Sequence, residues 1–535
     1  MNTIWGDSRR RLVTLALTAA VTGALAAGAV AAPAGAAAAK PTPGAPGIGD
    51  RLYPTLGNGG YDVTHYDLLL TYPKKDPKQT VVGAVRFRAK ATQDLSRFNL
   101  DFAGKAVGRV TVDGAAAAVA RRGEELVVTP KTAIKVGKTF TVYVKSFSAV
   151  PAAANPSSAL SNFLYTRDGT VLAGQPNGSH RLFPSNDHPR DKATYRIILR
   201  APRGWIGVAS GVLTSKTASR GYDVWTYAEK SPMATELVQV AVGDFVVRNR
   251  PAVNGVPLRD VAPRRLASTV LPKAADEGNQ LAWLESKVGK YPFAIYGSLV
   301  IDAQLGFALE TQTLSLYDTA LFGGVPTRIL NLIMAHELAH QWFGNSVSPR
   351  SWSDVWLNEG HATWYEQLYA EKTGVFEEYN GVADVESLWR EVYALGDQWR
   401  DRWGPVARPT SAKVVWDLFN PNIYYGGALA LYALRQEIGT AAFEQLEREW
   451  VTAYKGRSVS TDDFIALASK VAGRDLRTFL VAWLYGTRTP PMPGHADWTV
   501  TPVPAAAKRS AAAARALLGH DALTTRLLEH LRHMH

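Results

Sequence analysis

His336-Glu337-Leu338-Ala339-His340 sets two imidazoles four residues apart with an acid between them. On a helix, positions i and i+4 lie one turn apart on one face, so both rings reach a single ion. Imidazole nitrogen suits Zn²⁺, and a catalytic zinc takes three protein ligands and keeps one position for water. The third ligand this spacing offers is Glu359, which follows His340 after eighteen intervening residues in Trp356-Leu357-Asn358-Glu359-Gly360. Cysteine is absent from the chain, so His and carboxylate must hold any metal. A zinc ion brings the pKa of water down toward ~7. Glu337, beside a ligand on the same turn, is placed to take a proton from that water and pass it to a leaving amine. Glu366 comes seven residues after Glu359, two turns along the same face. There it accepts a hydrogen bond from a ligand histidine and fixes its tautomer, although a surface ion-pair acid is the plainer reading. The chemistry is metal-assisted hydrolysis with one zinc per chain.

Those side chains need two helices. Ile329, Leu330, Ile333 and Leu338 give the first an apolar stripe, and Gly344-Asn345 closes it; the second runs to Gly374. A helical period begins near residue 270, with Leu281, Leu284 and Val288 on one face, then Leu429, Leu431, Leu434 and Ile438 ahead of Gly439. Residues 51–250 read differently. Val85-Arg86-Phe87-Arg88-Ala89-Lys90-Ala91 alternates apolar and charged residues as a half-buried strand does, and Thr139–Lys145, Ala193–Leu199 and Glu236–Val247 are similar. Gly57-Asn58-Gly59-Gly60 and Val112-Asp113-Gly114 punctuate them as turns. The fold class is α+β multidomain: an N-terminal antiparallel β-sheet domain, then a mainly helical domain. Trp342, Trp352, Trp356, Trp364, Trp389, Trp399, Trp403 and Trp416 crowd the second domain as core or as an apolar pocket lining. Trp498-Thr499-Val500 reads as a last strand.

The chain has 535 residues, 46% of them hydrophobic and 20% charged, which fits a globular protein of several domains and excludes a disordered one. Its net charge of +12 is dispersed, without a recognised nucleic-acid motif, so no nucleic-acid partner is expected. Arg9, Arg10 and Arg11 precede an uncharged run from Leu12 to Ala32, and Ala29–Ala39 is rich in small residues. That order predicts an export signal over residues 1–39 and a secreted or cell-envelope protein with no stable membrane span after cleavage. A retained anchor is the rival reading, set against the weakly apolar Ala/Gly/Thr composition of the run. Ser8-Arg9-Arg10-Arg11-Leu12 also resembles a twin-arginine signal. Residues 40–50 read as a Pro/Gly linker, and 494–535 as an Ala-rich basic tail.

Further blocks accompany the zinc motif. Gln175-Pro176 precedes Phe183-Pro184-Ser185-Asn186-Asp187-His188-Pro189, followed by Gly306-Phe307-Ala308-Leu309-Glu310 and by Tyr424-Tyr425-Gly426-Gly427-Ala428. Together they make residues 49–493 resemble the gluzincin aminopeptidases of peptidase family M1. The resemblance implies a saddle-like β domain over 51–250 and a thermolysin-like zinc peptidase domain over 251–493. Gly306 and Glu310 match the family's G-x-M-E-N exopeptidase motif, with Leu309 and Thr311 replacing its Met and Asn. Ser185 replaces a usual Cys, and Gly426 stands where Lys or Arg is common. By the same resemblance, Glu310 pairs with a substrate's α-ammonium, Gln175 adds a neutral hydrogen bond there, and Tyr424 donates a hydroxyl to the oxyanion. Tyr425 is the close alternative to Tyr424. By residue type alone these are a loop acid, a turn residue and packed aromatics.

The implied activity is hydrolysis of the first peptide bond of peptides with a free N-terminus. The large helical domain that follows in longer relatives has no room within 535 residues, which predicts an open cleft. Three other readings stay open: a peptide-binding protein, an endopeptidase that accepts blocked N-termini, and epoxide opening on a lipid.

Overall fold

A computed structural model describes residues 40–154, 162–303 and 307–501. The export signal expected over 1–39, Gly306 of the exopeptidase motif and most of the tail therefore lie outside the described residues.

The first half is built on long strands whose buried residues alternate. In Val81–Ala91, Val85, Phe87 and Ala89 are buried, while Arg88 and Lys90 face solvent. This strand pairs antiparallel with Tyr61–Thr71 and with Thr139–Ala149. One pairing in this sheet departs from the expected antiparallel pattern. Ala193–Pro202 runs parallel to Tyr61–Thr71, because the long excursion between them crosses over instead of turning back as a hairpin. A second sheet orders Ala152–Ala153, Asn162–Tyr165, Gly169–Ala173, Val240–Gly243 and Ile206–Ala209. It matters for the site because Gln175 leaves the end of its central strand.

A third, mixed sheet orders Phe245–Val253, Val256–Pro263, Ser298–Ile301, Ser315–Asp318 and Ala308–Leu309. Residue 250 thus falls inside a strand of this sheet. The single stretch expected over Glu236–Val247 is broken into the turn Thr235–Leu237, the strand Val240–Gly243 and the start of Phe245–Val253. Asp244 is the one residue between two sheets, and its N–H donates to Asp168 O at 2.8 Å. The change of sheet therefore comes at Asp244, ahead of the 250/251 boundary read from the sequence.

Residues 40–50 are not a free linker. Thr42–Pro43 pairs parallel with Leu95–Asp101, and buried Asp50 accepts from Trp352 N at 2.7 Å and His188 Nε2 at 3.2 Å. A buried carboxylate with those donors ties the segment to both halves of the chain. Trp498-Thr499-Val500 is not a strand either: among the described residues no strand pairs with it. Trp498 stacks on Tyr432, with centroids 6.0 Å apart.

The helical part packs Thr327–Ala339, Trp356–Thr373 and Pro421–Ile438 around one core that includes Leu330, Ile333, Leu338, Leu429 and Leu431. Gly360 and Gly427 set the closest approach. A Cβ on Gly360 would lie 2.9 Å from Gly427 C, so only glycine lets these two helices touch backbone to backbone. Glu359 and Tyr424, carried by the same two helices, are brought together by that contact. Among the described residues, no helix is long and apolar enough to cross a membrane.

Candidate metal centre

The regular helix of the motif closes at Ala339, with His340 as its cap, four residues earlier than the Gly344-Asn345 stop. Tight bonds from Gln341 N to Leu338 O and from Trp342 N to Ala339 O carry the chain onward. Gly344 then turns at φ 125°, a region open to glycine, where a Cβ would meet Asn358 Nδ2 at 3.1 Å.

His336, His340 and Glu359 converge, each buried to 2% exposure or less. Glu359 Oε2 lies 3.5 Å from His336 Nε2 and 3.2 Å from His340 Nε2. Ligand atoms about 2.1 Å from a tetrahedral centre lie about 3.4 Å from one another, so the observed edges fit zinc without rearrangement. The other ring nitrogens are already committed. His336 Nδ1 donates to Glu366 Oε2 at 2.9 Å, and His340 Nδ1 to Phe343 O at 3.0 Å. Both rings are thereby locked in the tautomer that turns Nε2 toward Glu359. Burial alone lowers an imidazole's pKa, yet the acids outweigh it: Glu359 and Glu366 raise His336 to about 10, and Glu359 and Glu310 raise His340 to about 9. So acidic a cage calls for a positive charge between its walls. His336, His340 and Glu359 would hold one zinc.

Glu366 occupies the place its spacing predicts. Its Oε1 accepts from Tyr379 Oη at 2.5 Å and Gln367 Nε2 at 3.2 Å. The surface-acid reading of Glu366 fails, because the residue is fully buried. Tyr379 was not foreseen; it sits on the short helix Phe376–Asn380 and carries no local sequence signal.

Glu337 lies in the same pocket, with one carboxylate oxygen lacking a hydrogen-bond partner among the described residues. Burial, reinforced by Glu310 and Glu359 against the two imidazoles, pushes it up to about 8. Polar atoms of Glu310, Glu337 and His340 lie within 4.8 Å of one another. Glu310 leaves the edge strand Ala308–Leu309, and its Oε1 accepts from Gln175 Nε2 at 2.6 Å. Two further residues hold Glu310 by its carbonyl: Gln341 Nε2 at 3.0 Å and Asn345 Nδ2 at 2.5 Å. Neither was foreseen, and the only available signal was their nearness in sequence to His340. The loop that carries Glu310 and the turns that follow the His336–His340 segment are thus tied together by side-chain hydrogen bonds.

Tyr424 stacks on His336 with centroids 6.1 Å apart and planes 20° from parallel. Tyr425 lies behind, its hydroxyl buried and pushed well above the usual phenol range by desolvation and by Glu366. The two tyrosines are therefore distinguished: Tyr424 borders the metal-facing ring, and Tyr425 its supporting acid. Gly426 cannot carry a side chain without displacing Asn422, whose Oδ1 lies 2.2 Å from the Cβ position.

Comparison with known proteins accords with this geometry. Residues 279–483 match the Peptidase family M1 domain. A crystal structure of an M1 zinc metallopeptidase from Deinococcus radiodurans superposes with a TM-score of 0.73 at 29% identity, covering 84% of this chain and 99% of that one. A two-domain M1 zinc metallopeptidase mutant bound to L-tryptophan does so at 0.72 and 30% identity, with the same coverage. The chain belongs to peptidase family M1. Similar M1 relatives include aminopeptidase A of Gloydius brevicauda, 26% identical over 331 residues, and human glutamyl aminopeptidase, 26% identical over 339 residues. These alignments cover 58% and 60% of this M1 chain but 33% and 35% of the relatives. The chain thus spans about a third of the length of the curated relatives it matches.

Proposed function

We propose that this chain is a secreted zinc aminopeptidase that hydrolyses the first peptide bond of peptides with a free N-terminus. His336, His340 and Glu359 would hold a zinc ion, which when bound would supply Lewis acidity to polarise a carbonyl and lower the pKa of water. The observation that carries the reading is the convergence of Glu310, Glu337 and His340 within 4.8 Å. In a peptide, the α-nitrogen and the first carbonyl carbon are about 2.5 Å apart. An α-ammonium paired with Glu310 and Gln175 therefore delivers only the first carbonyl to Glu337 and the metal ligands. Glu337 takes a proton from the attacking water and returns it to the leaving amine. Tyr424 donates its hydroxyl to the developing oxyanion. The exopeptidase arrangement disfavours the endopeptidase reading, and the buried base and acid anchor exceed what peptide binding alone requires. Export rests on the basic residues Arg9–Arg11 and the uncharged run from Leu12 to Ala32.

The test is product analysis on one peptide with free and acetylated ends, with and without chelator. Release of the first residue from the free peptide alone, abolished by chelator, is expected. Cleavage of the acetylated peptide at a comparable rate would refute the reading.

A further inference from the structure

Glu236 is a buried acid without a task in the reaction above. It occupies the single turn Thr235–Leu237 and is 1% exposed, like the metal-facing Glu359. The turn is wedged between the two loops that carry the substrate anchors. On one side, Gln312 N donates to Leu237 O at 2.9 Å, two residues beyond Glu310. On the other, a Cβ added to Gly174 would come within 2.6 Å of Glu236 O, next to Gln175. Ser179 Oγ donates to Thr235 O and Thr235 Oγ1 to Asp187 Oδ1, each at 2.6 Å, so the backbone there is fixed. The Glu236 side chain is different: neither carboxylate oxygen has a hydrogen-bond partner among the described residues.

The charges around it are mostly of its own sign. Desolvation pushes the Glu236 carboxyl well above the usual range; of its charged neighbours Glu310 acts most strongly in the same sense, then Asp187, with Glu359 adding to it and Lys192 opposing. Lys192 spends its Nζ on Asn345 O and Ser346 O, at 2.7 and 2.9 Å. Nothing within the turn answers the acid, and a buried carboxylate without donors is stabilised by a cation that arrives from outside.

We propose that Glu236 is a specificity residue for the first side chain, receiving the ammonium or guanidinium of an N-terminal lysine or arginine while Glu310 and Gln175 hold the α-ammonium. The inference rests on the aminopeptidase reading and deepens it. The α-nitrogen and the first side chain leave the same Cα, so a turn bordering both anchor loops lies within reach of a long first side chain. Lysine and arginine carry a charge on a stem long enough to pass the anchors, and each supplies the donors that Glu236 lacks.

The test compares lysyl and norleucyl 4-nitroanilides, which share a four-carbon stem and differ in the terminal charge, on the zinc-loaded full chain and on Glu236→Gln. The lysine-to-norleucine ratio of kcat/KM is expected to fall about tenfold or more in Glu236→Gln, with norleucine within about threefold. Glu236→Asp, which keeps the charge, is expected to retain most of the ratio. A ratio unchanged by Glu236→Gln in a folded, zinc-replete protein overturns the proposal. Binding of free L-lysine against L-norleucine, followed by calorimetry, supplies a readout without turnover. Tighter lysine binding that Glu236→Gln abolishes supports the role of Glu236 even if no substrate is cleaved, an outcome that would defeat the aminopeptidase reading alone. Equal binding of the two amino acids to the unmodified chain overturns this inference alone.

Discussion

Replacing Glu366 by glutamine changes one oxygen to an amide nitrogen in a fully buried position. Two strong donors converge on that carboxylate from opposite sides: His336 Nδ1 on Oε2 at 2.9 Å and Tyr379 Oη on Oε1 at 2.5 Å. A glutamine has a single acceptor oxygen, so one donor must face an N–H₂ group. If the imidazole is the loser, His336 is no longer held with Nε2 toward Glu359 and its basicity as a ligand falls. If Tyr379 is the loser, its hydroxyl gives up the 2.5 Å bond to Oε1 and must turn to accept from the amide instead. Removing a carboxylate behind a ligating histidine weakens metal binding about 10- to 100-fold, equivalent to about 1.4–2.7 kcal/mol. The assay is competition for zinc between the apo-protein and a chromogenic chelator. His340 serves as an internal control, since its Nδ1 donates to the backbone carbonyl of Phe343, which no side-chain substitution removes. A zinc affinity within twofold of the unmodified chain, in a variant that unfolds at the same temperature, would refute the argument that Glu366 positions His336.

Other consequences follow from the same geometry. Glu310→Gln should lower kcat/KM on a free-ended peptide about 100-fold, because a charge-assisted pair with the α-ammonium becomes a neutral contact; steady-state kinetics on free and acetylated peptides will show the gap between them narrowing. Tyr424→Phe should lower kcat by about 10²–10³ with KM little changed, whereas Tyr425→Phe should not, since only Tyr424 borders His336. His180 offers a pH test away from the metal. Burial lowers its pKa, but Asp187 at 2.7 Å and Glu124 at 3.4 Å together raise it to about 10. The stability gained is complete below the unfolded value of about 6.5 and disappears as pH rises through the folded value. Thermal unfolding of His180→Gln should therefore fall well short of the unmodified chain at pH 6 and approach it near pH 10.

The grouping of His336, His340 and Glu359 in the candidate metal site was legible because its parts are local. Two imidazoles at i and i+4, Glu359 near the start of the next helix and Glu366 two turns later all follow from helical spacing, and the helices form where the apolar periods place them. Tertiary partners were not legible. Tyr379 reaches Glu366 from another helix, and Gln341 and Asn345 grip the Glu310 carbonyl across a strand-to-helix contact that no spacing encodes. The glycines of the W-L-N-E-G and Y-Y-G-G-A blocks acquire their reason only when Gly360 and Gly427 are seen to touch. The strand boundaries failed where alternation ran through a change of sheet, as at Asp244. The parallel pairing of Ala193–Pro202 was equally hidden, since alternation gives a strand its faces and not its neighbour. Residues 40–50 misled through composition: Pro and Gly suggested freedom, and one buried acid, Asp50, removes it.

The central claim is that one metal bound by His336, His340 and Glu359 works with Glu337 as the proton carrier. Glu337→Gln tests it in a single preparation assayed for zinc content and for turnover of a free-ended peptide. One zinc per chain with turnover reduced by about 10³ or more is the expected result. Turnover within tenfold of the unmodified chain, at full zinc occupancy, would contradict it.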